Sequence, residues 1–197
     1  MAYFPMMVSL ENRPVLVVGG GAEGLKKVRI LHDFGARITL VAKNALPEAS
    51  ALAEKYAARV FTDEDLDGEK YAVVVAATDE EELNRRISSL STSRGIPVNI
   101  VDRTELCTFI FPAIIRENDL VCAVSSSGKS PLVTQHIKTL IQRILPEKIG
   151  QINDRMGEYR IRAKAEIPNA GERRKYLKSK LEELLAEEHS AQGRNQT

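Results

Sequence analysis

The sequence is poor in the residues that support disulfide-rich, metal-binding and aromatic-rich folds. It has 2 cysteines, 3 histidines and no tryptophan. Cys107 and Cys122 form no CxxC pair and lie in apolar, strand-like runs. A disulfide framework is therefore excluded, and we expect buried thiols in a reducing, cytoplasmic compartment. No histidine has metal-ligand spacing to a cluster of Cys, Asp or Glu, so the sequence predicts no metal site.

Long apolar runs and a strong excess of one charge are also missing. No segment approaches the ~20 apolar residues of a membrane-spanning helix. The first residues, MAYFPMMVSLENRP, lack the basic and apolar regions of a signal peptide. The net charge of +1 gives no electrostatic reason to expect a nucleic acid or a membrane surface as a partner. Hydrophobic (43%) and charged (28%) contents are those of a globular protein with a core.

Apolar and amphipathic segments alternate through the first two thirds of the chain, which is typical of a parallel sheet covered by helices. Strands are predicted at residues 14–18, 37–42, 59–61, 71–77 and 97–101. Helices are predicted at residues 22–34, 45–58 and up to about 93, the last one after Thr78 and Glu81, which have capping-box spacing. The predicted fold class is α/β, with a Rossmann-like domain over residues 1–112.

The pattern changes after this domain. Apolar runs at 107–111 and 120–124 predict a strand pair, and Ser130 followed by Pro131 predicts a helix that ends at Pro146. Charged helical segments follow, the last one from residue 172 to about 188, and we expect disorder over residues 190–197. Apolar stripes on these helices need a partner surface, so we expect a homodimer. The predicted boundaries after the first domain are a segment at 113–146 and a helical segment at 147–197.

The residues Gly19 to Gly24 (GGGAEG) match the dinucleotide-binding pattern GxGxxG between a predicted strand and a predicted helix. In such a turn Gly19 permits the tight bend, Gly21 lets the backbone approach a pyrophosphate, and Gly24 brings the helix close to the strand. The free N–H groups of the helix N-terminus face the anion. The alternative is a glycine-rich turn that only connects the two elements.

Lys43 and Asn44 follow the second predicted strand, where NAD-binding proteins of this fold usually have Asp or Glu. Lys43 could bind a 2′-phosphate, which would favour NADP, or it could be a solvated lysine at a strand end. Asn44 can hydrogen-bond a ribose hydroxyl. From the residues alone the cofactor is a dinucleotide, and the choice between NAD and NADP stays open.

Asp102 follows the fifth predicted strand, and ligands of open α/β sheets bind at the carboxyl ends of strands. A carboxylate there can accept a proton while a hydride leaves the substrate for a nicotinamide. The alternative is a turn or helix-cap residue, because Asp favours such positions.

The segment SSSGKS at 125–130 lies between a predicted strand and a predicted helix. Its hydroxyls, glycine, lysine and helix N-terminus predict an anion-binding loop for a phosphate or for the carboxylates of a polyacid. The candidate substrate-binding residues are Ser126, Gly128, Lys129 and Ser130. The spacing of a Walker A motif is absent, and the alternative is a polar loop that ends in a Ser-Pro cap.

Several segments, in order along nearly the whole chain, resemble the sirohaem synthase family of precorrin-2 dehydrogenases, some of which are also sirohydrochlorin ferrochelatases. They are YFPMMVSLENRPVLVVGGG with KKVR after it, VVAATDEEELNRRI, PVNIVD followed by CTFIFPAIIR, VCAVSSSGKSPLVTQHIK and GERRKYL. A glycine fingerprint alone is weak, whereas VNIVD, FIFPAI and AVSSSGKSP in this order are highly specific. The resemblance implies NAD-dependent oxidation of precorrin-2 to sirohydrochlorin and, in bifunctional members, insertion of ferrous iron as a further substrate.

The resemblance also implies site residues and assembly. The family's strand-end aspartate, implicated in both activities, corresponds to Asp102, and Ser126 lies in the loop that faces the tetrapyrrole. Family members are homodimers in which the middle and helical segments exchange contacts across the two-fold axis, which implies that residues 113–146 are a dimerisation segment. They use NAD without an acid after the second strand, which favours NAD here. The cofactor contacts correspond to Ala22, Glu23, Lys43, Asn44, Thr78 and Asp79.

Two alternatives stay open, a non-catalytic Rossmann module that senses a nucleotide and a chelatase without dehydrogenase activity. A sensing module usually has the acid after the second strand and gives no reason for VNIVD or SSSGKSP. Asp102 would serve both chemistries, so the sequence does not separate a dehydrogenase from a chelatase. Many bacterial members continue into a uroporphyrinogen methyltransferase domain and this sequence stops earlier, so we expect a separate enzyme to supply precorrin-2.

Overall fold

The structure, a computed structural model, describes residues 3–194. The chain divides into two units, Met1–Phe111 and Pro112–Thr197. Within the described residues, no helix has both the length and the apolar character needed to cross a bilayer.

The first unit is an α/β unit built around a parallel sheet. Its elements are β1 (Pro14–Gly20), α1 (Ala22–Asp33), β2 (Arg37–Ala45), α2 (Pro47–Leu52), β3 (Lys55–Ala57), a 3-10 helix (Asp63–Leu66), β4 (Val73–Ala76), α3 (Glu81–Ser93), β5 (Val98–Ile100) and a 3-10 helix (Thr104–Leu106). The five strands are ordered β3-β2-β1-β4-β5, and all pairs are parallel. This order is that of a Rossmann-like fold, and it reverses between β1 and β4. The predicted fold class is confirmed.

The central strand β1 is apolar at successive positions because both of its faces are covered. Val15 and Val17 belong to the core cluster that includes the buried face of α1. Leu16 and Val18 belong to the cluster that includes Ile87 of α3. These four side chains are at most 2% exposed, as expected for a strand in the middle of a covered parallel sheet.

The segment after β2 differs from the prediction of a helix at 45–58 and a strand at 59–61. It forms the 6-residue helix α2 and then the strand β3, which pairs with β2 so that Lys55 lies opposite Thr39. The Ala- and Glu-rich sequence favours a helix locally, but pairing with the edge of β2 satisfies the backbone of β3 and takes precedence. Phe61 is buried although it lies in no strand.

Residues 107–111 also do not form the expected strand. Asn99 Nδ2 donates a hydrogen bond to the carbonyl oxygen of Phe109 (3.1 Å). The rings of Phe109 and Phe111 have centroids 5.3 Å apart and pack against a core cluster of the first unit. This apolar run is therefore used to cover the parallel sheet, which leaves it unable to pair with residues 120–124.

The second unit combines an antiparallel strand pair with helices. Its elements are β6 (Ala113–Glu117), β7 (Leu120–Val124), α4 (Pro131–Ile144), α5 (Ile149–Glu166) and α6 (Ala170–Arg194). The predicted strand at 120–124 is confirmed, with β6 as its partner. The helix α4 begins as predicted, because Ser130 Oγ accepts a hydrogen bond from the N–H of Val133 (3.3 Å) and Pro131 is the first helical residue.

The last two helices, α5 and α6, pack against each other. Tyr159 and Tyr176 meet edge to face with ring centroids 6.4 Å apart, so part of the apolar surface for which we expected a partner is covered within the unit. The helix α6 continues to Arg194, so the expected disorder is wrong for residues 190–194, where alanine and glutamine favour a helix. Residues 195–197 of the expected disordered tail lie outside the described residues.

Candidate functional site

The glycine turn between β1 and α1 is held by close backbone contacts at two of its glycines. Gly19 has a φ of +104°, and a Cβ atom there would lie 2.2 Å from the carbonyl oxygen of Ala77. A Cβ atom on Gly24 would lie 2.1 Å from the carbonyl oxygen of Gly19. Glycine at these two positions lets the turn, the end of β4 and the first turn of α1 lie backbone to backbone.

Gly21 differs from these two glycines. A Cβ atom there would meet no protein atom within 4 Å, and its φ of −75° is open to any residue. Gly21 is the N-cap of α1, and no side chain caps this helix, so N–H groups of its first turn are available to an anion. The position is one at which a close ligand, rather than the protein, would require glycine.

The first turn of α1 and the end of β2 carry four of the predicted cofactor residues. Ala22 and Glu23 are exposed, and the Glu23 carboxylate forms an ion pair with Lys26 (2.5 Å). Lys43 and Asn44 are exposed but lie inside β2, not after it as predicted, because β2 continues to Ala45.

The extension of β2 has a clear cause. The pairing of β1 with β2 shifts register between Val18 and Gly20 and resumes with Gly20 opposite Ala45. The N–H of Leu46 then donates to the carbonyl oxygen of Gly20 (2.9 Å). This irregularity brings the Lys43–Asn44 segment alongside the glycine turn.

Thr78 follows β4 beside the glycine turn, and its backbone nitrogen would lie 3.2 Å from a Cβ atom on Gly19. The predicted capping box of Thr78 and Glu81 is wrong. Thr78 Oγ1 instead donates to Asn84 Oδ1 (2.8 Å), and Asn84 Nδ2 donates to the Thr78 carbonyl oxygen (2.8 Å). Asn84 is buried, and this paired contact fixes the start of α3 to the end of β4. Asp79 is exposed.

Asn84 was not identified from the sequence. The signal that could have found it is a polar residue at a helix position that faces the core, because a buried amide needs hydrogen-bond partners.

Asp102 lies two residues after the end of β5 and is exposed. It occupies a turn in which the N–H of Arg103 donates to the carbonyl oxygen of Ile100 (3.3 Å). Its φ of +59° is in the left-handed region that Asp and Asn tolerate better than most residues. The turn interpretation therefore describes its backbone, and its carboxylate is exposed after the end of β5.

Cys107 supports this turn, a role that the sequence did not indicate. Its thiol accepts a hydrogen bond from the N–H of Ile100 (3.1 Å) and lies 3.2 Å from the carbonyl oxygens of Ile100 and Arg103. Burial raises the pKa of the Cys107 thiol, so the neutral S–H group is the form present near neutral pH. Cys107 is buried as expected, whereas Cys122 is only half-buried.

Lys27 is a half-buried cation in the same region. Its ammonium nitrogen lies 4.3 Å from the centroid of the Phe111 ring. Burial lowers the pKa of Lys27, and the negative charges of Glu23 and Asp102 oppose this shift. In the sequence this lysine is distinguished only as part of the segment KKVR.

The serine loop belongs to the second unit. Ser126 Oγ donates to the carbonyl oxygen of Ser130 (3.1 Å) and accepts from its N–H (3.0 Å). Ser127 and Gly128 have φ values of +55° and +78°, so the chain turns sharply here. Gly128 and Lys129 are exposed, whereas Ser126 and Ser130 are half-buried. The predicted loop is thus internally hydrogen-bonded, with Lys129 at its surface.

The candidate residues fall into two groups. The structure brings together the glycine turn, the Lys43–Asn44 segment and Thr78 in the first unit, where Asp102 follows β5. The serine loop is built separately within the second unit. Across residues 3–194, no three His, Cys, Asp or Glu side chains are grouped so that they could hold a metal ion.

The chain is similar to known proteins along most of its length. Residues 6–113 match the NAD_binding_7 family model, which describes NAD(P)-binding proteins. A siroheme synthase of Thioalkalivibrio sulfidiphilus is 39% identical over 191 residues, which are 95% of this chain and 39% of that protein. A siroheme synthase of Ectopseudomonas mendocina is 39% identical over 189 residues, which are 95% of this chain and 40% of that protein. The chain thus spans about two fifths of the length of these relatives.

A solved structure shares the fold. The protein named SirC, precorrin-2 dehydrogenase, matches with a TM-score of 0.69 at 22% identity, covering 95% of this chain and 100% of that chain. The family match extends over residues 6–113 of 197, more than half of the sequence. The chain therefore belongs to the NAD_binding_7 family of NAD(P)-binding proteins and is a homologue of siroheme synthases over part of their length.

Proposed function

We propose that this protein catalyses the NAD-dependent oxidation of precorrin-2 to sirohydrochlorin. The observation that carries the proposal is the glycine turn, in which Gly21 faces open space beside an uncapped helix N-terminus. Asp102 follows β5 in the same unit, on the other side of the point where the strand order reverses. The names of the homologues, siroheme synthase and precorrin-2 dehydrogenase, supply the substrate class.

The residues of the first unit fit a dinucleotide. We assign the pyrophosphate to the N–H groups of Ala22 and Glu23, with Gly21 allowing its close approach. Lys43 and Asn44 lie exposed beside the turn, where they would bind the adenosine ribose, and Asn44 suits the free hydroxyls of NAD. Thr78 and Asp79 would line the side of β4. When bound, NAD⁺ accepts a hydride from the substrate carbon.

Asp102 is assigned the role of general base. The oxidation removes a hydride and a proton from the substrate, and a carboxylate at the end of β5 can take the proton. The turn that holds Asp102 is braced by the Cys107 thiol through the N–H of Ile100. The proposed base is therefore attached to a turn whose backbone is held in place by this hydrogen bond.

We further propose that the serine loop binds acidic groups of the tetrapyrrole. Lys129 and Gly128 are exposed and are suited to direct contact. The hydroxyls of Ser126 and Ser130 already take part in hydrogen bonds within the loop and at the start of α4. They would act mainly by shaping the loop.

The proposed assembly is a homodimer formed through the segment 113–146. The helix α4 has no buried residue, and apolar side chains along it are exposed, Leu132 by 84% and Ile144 by 79%. A second copy of the chain would cover this apolar stripe. We propose a dinucleotide-binding role for residues 1–112 and a supporting helical role for residues from 147 onward.

Two further assignments belong to this proposal. Insertion of ferrous iron, with the iron as substrate, is assigned to the same strand end because the resemblance associates both activities with Asp102. A cytoplasmic location is supported by the two free cysteines, which suit a reducing compartment.

The test is to incubate the protein with enzymatically generated precorrin-2, with and without NAD⁺, and to follow the absorbance spectrum of sirohydrochlorin. We expect the product only when NAD⁺ is present. NAD⁺ binding without turnover would instead indicate a nucleotide-sensing module. If no oxidation occurs but added sirohydrochlorin and ferrous iron give sirohaem, the protein is a chelatase without dehydrogenase activity.

A further inference from the structure

Two adjacent lysines on α1 have different environments. The Lys26 side chain is 64% exposed and forms an ion pair with Glu23 (2.5 Å). Lys27 is half-buried, and its ammonium group lies over the Phe111 ring, 4.3 Å from the centroid. Lys26 therefore has the environment of an ordinary surface residue, whereas Lys27 lies against the core of the first unit.

The ammonium group of Lys27 lacks a polar partner in the described part of the chain. It makes no hydrogen bond there, and no carboxylate lies within ion-pair distance of it. The aromatic ring offers a cation–π contact, which replaces only part of the hydration lost on burial. Burial accordingly lowers the pKa of Lys27. An unpaired, partly desolvated cation costs free energy, and an incoming anion would offset that cost.

The position of Lys27 indicates which anion this is. Besides Glu23 and Lys26 on its own helix, the ionisable side chains close enough to influence the pKa of Lys27 are those of Asp102 and Cys107. Both residues follow β5, which lies on one side of β1 in the sheet. Lys43 and Asn44 belong to β2, which lies on the other side of β1. A dinucleotide bound across the strand-order reversal has its adenosine ribose at the end of β2. Lys27 is therefore on the side of the reacting groups.

We propose that the Lys27 ammonium binds a carboxylate side chain of the tetrapyrrole and so orients the substrate next to Asp102. The inference rests on the proposed function, because the substrate class comes from it. The Phe111 ring contacts the ammonium group and restricts the rotamers of Lys27. Little further side-chain entropy is therefore lost when a ligand binds to it. The pyrophosphate of the dinucleotide is the other anion available, and the test separates the two.

The test compares Lys27→Met with Lys26→Met. Methionine retains an apolar stem of similar length over Phe111 and removes the charge, so we expect Lys27→Met to melt at or above the temperature of the parent protein. The Michaelis constant for precorrin-2 and the dissociation constant for sirohydrochlorin, measured by absorbance titration, should rise about tenfold or more, as for other lost charge-assisted hydrogen bonds. The value of kcat should change much less, because ground-state binding is affected.

The control measurements decide between the anions. Lys26→Met should stay within about twofold of the parent protein in every constant, since exposed ion pairs contribute little. NAD⁺ affinity by calorimetry should be unchanged in both variants. If Lys27→Met weakens NAD⁺ binding and leaves the tetrapyrrole constants unchanged, the lysine binds the pyrophosphate and the proposal is wrong. An active parent protein with unaltered constants in Lys27→Met overturns this inference alone, whereas an inactive parent protein overturns the proposed function as well.

Discussion

Gly24 lies so close to Gly19 that a Cβ atom at position 24 would be 2.1 Å from the Gly19 carbonyl oxygen. The atom that this Cβ would meet belongs to the backbone, so no flexible side chain could move to relieve the clash. The contact joins the start of α1 to the end of β1, and therefore sets where the N–H groups of the helix lie relative to the sheet.

The variant Gly24→Ala should force α1 away from the turn. Overpacking of this kind costs about 1–3 kcal/mol, so we expect a lower melting temperature together with weaker NAD⁺ binding by calorimetry. Gly157→Ala on α5 is the control, because a Cβ atom there meets nothing within 4 Å and alanine favours a helix. A Gly24→Ala protein as stable as the parent would contradict the close contact.

The variant Gly21→Val should separate ligand binding from folding. No protein atom lies within 4 Å of a Cβ atom at position 21, so the melting temperature should change by a few degrees at most. The branched side chain would occupy the space assigned to the pyrophosphate, so calorimetry should detect no NAD⁺ binding. Gly68→Val, at another open position, should bind NAD⁺ normally. Unchanged NAD⁺ affinity in Gly21→Val would remove the pyrophosphate from this turn.

The variant Asp102→Asn should fold, because Asn also tolerates the φ of +59° found there. It cannot accept a proton, and loss of a general base typically lowers the rate by about 10²–10⁴-fold. We expect normal NAD⁺ binding and a corresponding loss of precorrin-2 oxidation in the spectral assay. Glu105→Gln, at an exposed carboxylate of the adjacent 3-10 helix, should retain activity. Turnover by Asp102→Asn within a few-fold of the parent would reduce Asp102 to a turn residue.

The variant Leu132→Glu should disrupt the proposed dimer. Leu132 is 84% exposed, so the charge costs nothing within the single chain, but it would be buried against a second copy. Light scattering at micromolar concentration should give the dimer mass for the parent protein and the monomer mass for this variant. Gln142→Glu, at an exposed polar position of the same helix, should remain dimeric. A monomeric parent protein would be evidence against the assembly itself.

Several elements could be predicted because their causes are local. The strand β1 was found from an apolar run, since a strand covered on both faces has no polar positions. The start of α4 was found from Ser130 and Pro131, because a hydroxyl cap and a proline at the first position act within one helical turn. The strand at 120–124 was found for the same local reason, from its apolar residues.

Other elements depend on partners that are distant in sequence. The strand β3 exists because the edge of β2 is available to it, whereas the alanine-rich sequence around it favours a helix. The apolar run at 107–111 was assigned to a strand pair, but Asn99 and the sheet of the first unit use it instead. Thr78 bonds to Asn84 rather than to Glu81, because a buried amide needs a partner more than an exposed helix end does.

The sequence by itself determined the parallel α/β fold and the position of the glycine turn, because hydrophobic periodicity and glycine geometry act over a few residues. It also indicated Asp102, because a strand end can be located from its apolar run. Only the tertiary structure decided that Lys27 is half-buried, with no polar partner among residues 3–194, while Lys26 is exposed. The two lysines are identical in local pattern, and their difference arises because Phe111, distant in the chain, packs beneath one of them.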